Sequence, residues 1–141
     1  MNKKIWIILI TLIIGIIAFM LGPVLWSNAP DMVLPNSQQL PFLIFLSVIE
    51  SLLFGYAIAF IIFYAPLLNK VKQRTRNRNI LAFISLVWLL ISWWPHDNLH
   101  RHIGMDWNGL IFLEYGFHLT LIIASLILAY HFIMTLKESK N

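Results

Sequence analysis

Four long apolar runs, separated by short polar or basic stretches, set the pattern of this chain. The first begins at Ile5 and meets no charge before Asp31. The second, Phe42–Leu68, contains one charge, Glu50. The third is Ile80–Trp94. The fourth, Leu110–Leu136, carries Glu114, His118 and His131. None shows the strict alternation of a half-buried strand, and their lengths favour helices. The pattern predicts helices over about 5–25, 42–68, 80–94 and 110–136, most of them long enough to span roughly 30 Å of hydrocarbon. The third is the exception: its fifteen residues reach only about 22 Å. Either it continues beyond Pro95 with a kink, or the segment after it sinks into the membrane interface.

The linkers differ in kind. Gly22–Pro41 carries four prolines with Ser, Asn and Gln, which breaks the helix into a loop. Asn69–Asn79 packs Lys70, Lys72, Arg74, Arg76 and Arg78 together without an acid. Small residues recur every fourth position in the second run (Ser47, Ser51, Gly55, Ala59), a spacing that lets two membrane helices approach closely. A similar series, Gly116, Thr120 and Ala124, lies in the fourth.

Composition moves the picture from helical to membrane-embedded. Of the 141 residues 60% are hydrophobic and only 11% charged, and the mean hydropathy is +0.79. An ordinary soluble domain is about 45–50% apolar and about 25% charged, and a fold this small could not hide the excess. The expected architecture is all-α: one integral membrane domain over residues 1–141, a four-helix bundle with a short histidine-rich outer loop between helices 3 and 4. The lipid bilayer is its first partner. The basic residues fall at the ends of apolar runs, so the net charge of +4 is read as orientation rather than as a nucleic-acid surface. With four spans, the basic head, the basic loop and Lys137/Lys140 share one side. Both termini are then cytoplasmic, and the expected location is a bacterial inner membrane. A basic head before an apolar core also fits a signal peptide. The long run, and Pro30 after the small residues Ser27–Ala29, favour an uncleaved helix.

The candidate chemistry lies between Trp93 and His118, which hold four of the five histidines and three of the six acidic residues. His96 and His100 are four apart, as are Glu114 and His118, so each pair shares a face if helical. Glu50 and His118 both lie eight residues into their expected helices, about 12 Å deep, with Glu114 about 6 Å deep. An ionisable group at such depth usually faces the protein interior and finds a partner. These five residues, His96, His100, Glu114, His118 and Glu50, form a candidate transition-metal site, since imidazole and carboxylate suit zinc, copper or iron. The same residues can equally form a satisfied polar network without a ligand. His131 is read as interfacial, His102 as a solvated loop residue, and Trp93, Trp94 and Trp107 as interface anchors. The thirteen-residue spacing of His118 and His131 suits a haem helix, but no second helix offers an opposing pair.

There is no cysteine, which removes disulfides, zinc–thiolate sites and iron–sulfur clusters. The chain has no H-E-x-x-H, phosphate-loop or nucleophile-elbow motif, and whether it is an enzyme is left open. Three functions are therefore expected alternatives. One is a metal-binding protein at the outer face. Another is an accessory subunit of a larger membrane complex or homo-oligomer. The third is a membrane enzyme or proton-coupled carrier.

Overall fold

Four helices follow one another: α1 Lys3–Leu25, α2 Leu40–Leu68, α3 Arg76–Ile103 and α4 Trp107–Glu138. The computed structural model describes residues 3–25, 36–68, 76–103 and 107–138, with side chains over 5–25, 36–63, 78–93 and 116–138. Three segments are long and apolar enough to cross a membrane: Ile5–Leu25, Leu40–Phe63 and Gly116–Glu138. The chain is an integral membrane protein on that ground. The apolar part of α3, Arg78–Trp93, is shorter. The helix does not stop there: α3 has 28 residues, about 42 Å at the helical rise. The stretch 95–103 is thus helical rather than loop, which selects continuation past position 95 from the two expected alternatives.

The start of α2 is fixed by its own sequence. The Asn36 side-chain oxygen accepts the Gln38 and Gln39 backbone N–H groups, each at 2.9 Å, and the Gln39 side chain accepts the Asn36 N–H at 3.0 Å. This reciprocal arrangement satisfies donors that a helix start leaves open.

α1 and α2 run antiparallel and pack backbone to backbone. Gly15, Ala18 and Gly22 on α1 are buried, as are Ser51, Gly55 and Ala59 on α2. A side chain at Gly55 would run into the Thr11 carbonyl oxygen and stand 2.8 Å from Gly15 N. The small-residue series on α2 is therefore a helix–helix contact, and its partner is a matching series on α1. The series on α4 does not do this. Gly116 faces open space, and Gly116 and Thr120 are exposed. Ala124 is buried in the core and Thr120 meets Trp88 of α3, so the series reaches a neighbour at two of its three positions and not at Gly116.

α3 and α4 form a second antiparallel pair with a different seam. Ala82, Ser85, Leu89 and Ser92 line α3; His118, Leu121, Ala124, Leu128, His131 and Thr135 line α4, all buried. The steps of three and four residues are those of a heptad seam. The outward positions are at least as apolar, including Phe83, Ile84, Ile122 and Leu126. Hydrophobicity therefore does not distinguish inside from outside here, whereas small and polar side chains do. The core is drawn from α2, α3 and α4: Ala57 and Phe60 meet Ala82, Leu89, Leu121, Ala124 and Leu128. α1 contributes nothing to this cluster and lies mainly on α2.

Polar ties join the α3–α4 pair at more than one height. Arg78 donates from both terminal nitrogens to Glu138 Oε1 at 3.3 Å, joining the start of α3 to the end of α4. Both side chains are partly exposed, so the pair contributes no more than about 1 kcal/mol. Nearer the middle, Trp88 Nε1 donates to Thr120 Oγ1 at 3.0 Å, while the Thr120 hydroxyl donates to the Phe117 carbonyl at 2.7 Å. The Trp88 and Phe117 rings meet edge to face at 5.7 Å. Thr120→Val keeps the shape and removes the acceptor. We expect it to destabilise the protein by about 0.6 kcal/mol and not more than about 1.7, measured by thermal unfolding in mild detergent.

Candidate functional site

Each of the three core helices places a polar residue at one end of the shared seam. On α2, the face carrying Leu53, Ala57 and Phe60 into the core continues one turn back to Glu50. On α4, His118 is the first buried residue among those described, and on α3 Ser92 is the last. α3 runs opposite to α4, and the Phe60–Phe132 and Phe54–Trp93 ring pairs set α2 alongside α4. Glu50, Ser92 and His118 thus share one end. Glu50 is 3% exposed, Ser92 2% and His118 9%. Glu50 stands ten residues after the first residue of α2 and His118 eleven after that of α4, about 15 and 17 Å along their helices. The Ser92 hydroxyl donates to the Leu89 carbonyl at 3.1 Å, which leaves its lone pairs facing the seam.

The same seam carries a second polar station at its other end. His131 is 2% exposed and Thr135 fully buried, and Thr135 Oγ1 donates to the His131 carbonyl at 2.8 Å. His131 therefore faces the protein interior. Neither Glu50, His118 nor His131 is without a partner. Between the two stations lie Leu89, Leu121, Ala124 and Leu128 with Ala57 and Phe60. His118 and His131 are thirteen residues apart, about 20 Å along α4, and that layer, with the buried Ser85 of α3 at its height, fills the distance.

Of the five residues expected to bind metal, Glu50 and His118 are buried in the protein interior. The side chains of His96, His100 and Glu114 lie outside those described, as do those of His102, Trp94 and Trp107. Among the described residues no group of three His, Asp or Glu side chains converges. Trp93, expected as an interface anchor, packs against Phe54 with ring centroids 4.8 Å apart and planes tilted by 32°. Sequence reasoning missed Ser92, Ser85 and Thr135. Their signal was present as the three/four spacing that links them to Leu89 and Leu128, read through small polar residues.

Compared with protein families, with characterised proteins and with solved structures, the chain matches none.

Proposed function

We propose that this chain is a transition-metal-binding membrane protein whose site sits in the outer half of the bilayer. The observation that carries the reading is the withdrawal of Glu50 and His118 into the α2–α3–α4 seam of a protein that offers abundant apolar surface to lipid. Ionisable groups held at such depth usually serve a site. Helical continuation of α3 supports the remaining ligands. His96 and His100 then stand one turn apart on a helix. Counted from the Trp88–Thr120 contact, position 96 falls within about one turn of position 114 on the antiparallel α4. The proposed donor set is Glu50, Glu114, His96, His100 and His118, with zinc, copper or iron as cargo or cofactor.

Orientation follows from charge. The Arg78–Glu138 pair joins the end of the basic stretch to the end of α4, and the antiparallel α1–α2 pair returns the basic head to the same side. We assign that side, with both termini, to the cytoplasm by the positive-inside bias, in a bacterial inner membrane. The Glu50/His118 end then faces outward. The largely apolar layer between His118 and His131, which Ser85 alone among the buried described seam residues interrupts, favours a site over an uninterrupted proton path.

Elemental analysis of untagged protein in mild detergent tests the reading. Wild type is expected to retain metal in stoichiometric amount, and the Glu50/His100/His118 triple alanine variant to retain none. No metal in either, with a less stable variant, would make the cluster a structural network and turn the search toward an accessory subunit's protein partners.

A further inference from the structure

A cavity of about 160 Å³ lies between α1 and α2, bounded by Ala18, Phe19, Pro23, Leu43, Ser47, Ser51 and Trp93 among its lining residues. Three features separate it from a packing defect. It is polar at defined points: Ser47 and Ser51 are one helical turn apart on α2, with Cβ atoms roughly 5–6 Å from each other. Elsewhere in the helices, the hydroxyls of Ser92, Thr120, Ser125 and Thr135 fold back onto carbonyls of their own helix, although that of Thr11 does not. Among the described residues neither Ser47 nor Ser51 does so, leaving both hydroxyls available to the cavity. Second, Pro23 lacks an N–H, so the Phe19 carbonyl has no donor four residues on, and both residues line the cavity. Third, Trp93 supplies an aromatic wall held in place by Phe54 at 4.8 Å. The rim includes Phe19 and Ile44, both exposed, so the opening meets lipid rather than water.

We infer that this cavity binds the ring of a membrane-soluble quinone. The size fits one six-membered ring: an apolar cavity of about 150 Å³ accepts benzene. Two donors one turn apart match two ring oxygens on opposite sides, and the Trp93 indole offers a face for stacking. A saturated acyl chain would fill the volume but offer neither hydroxyl an acceptor, whereas a quinone offers two. The cavity borders the Glu50/His118 end of the seam, since Trp93 and Ser51 follow Ser92 and Glu50 in sequence, but none of Glu50, Ser92 and His118 lines it.

Tryptophan emission of the full-length protein in detergent, titrated with a short-chain benzoquinone, tests this. Wild type is expected to show saturable quenching, lost in Trp93→Phe. Ser47→Ala with Ser51→Ala keeps the small side chains that the α1–α2 contact requires and is expected to weaken binding about tenfold. Ser47→Leu fills the cavity and is expected to abolish the saturable component, with helicity by circular dichroism confirming that the fold survives. Quenching that rises linearly and equally in all four proteins would overturn the assignment. So would equal displacement by a straight-chain hydrocarbon of like volume, or an unchanged affinity in the double alanine variant.

Discussion

Replacing Gly55 by alanine is expected to destabilise the protein by about 1–3 kcal/mol, and replacing it by leucine to prevent recovery of a monodisperse species. The added methyl meets backbone, not a movable side chain: the Thr11 carbonyl oxygen, Gly15 N at 2.8 Å and Gly15 Cα at 3.3 Å. Backbone cannot step aside, so α1 must separate from α2 along its length. Two other glycines calibrate the result. At Gly15 the nearest atom is the flexible end of Leu52 at 2.9 Å, with Leu52 Cα at 3.1 Å, so Gly15→Ala should cost less. At Gly116 nothing lies within 4 Å, and alanine there should be neutral or stabilising by up to about 1 kcal/mol through helix propensity. Thermal unfolding in one detergent checks the order Gly55, Gly15, Gly116. A Gly116→Ala variant as damaged as Gly55→Ala would refute the contact assigned to α1 and α2.

The second large effect concerns His118. Loss of a partner outside the metal's own ligand shell typically lowers affinity by about 10–100-fold. If His118 is itself a ligand, His118→Ala should lower affinity by at least about 100-fold, and Glu50→Ala likewise. Glu50→Gln keeps the size and one acceptor oxygen but removes the charge, so it should fall between wild type and alanine. Protons compete with metal for imidazole and carboxylate lone pairs, so retention should decline as pH falls, and His118→Ala should flatten that decline. Competition with a chelator of known affinity, followed across pH, measures both. A structural role alone would lower the melting temperature and leave metal affinity unchanged.

Much of the architecture was legible because lipid imposes simple rules. Run length gave the number and approximate bounds of the helices, and the shortfall of Ile80–Trp94 correctly raised continuation past Pro95. The sense of the α2 stripe was legible too, since Ser51, Gly55 and Ala59 permit an approach that larger side chains forbid. The α4 series failed at Gly116 for an instructive reason: a small residue permits contact but does not supply a neighbour, and none is there. The α3–α4 seam was hidden because Ile122 and Leu126 facing lipid are as apolar as Leu121 and Leu128 facing the core. Where both solvents are apolar, the hydrophobic period vanishes. The surviving signal was polar, and it was strongest at Glu50 and His118, which are indeed interior. The burial of His131 was not legible, because its place near the end of a run spoke only to its depth. The seam position three residues after Leu128 and four before Thr135 makes it buried.

X-ray absorption at the edge of the retained metal tests the central claim most directly. The account predicts nitrogen and oxygen donors at about 2.0–2.2 Å, no sulfur donor, imidazole scattering beyond the first shell, and loss of part of that scattering in His118→Ala. A shell of oxygen alone, unchanged by removal of His118, would contradict it.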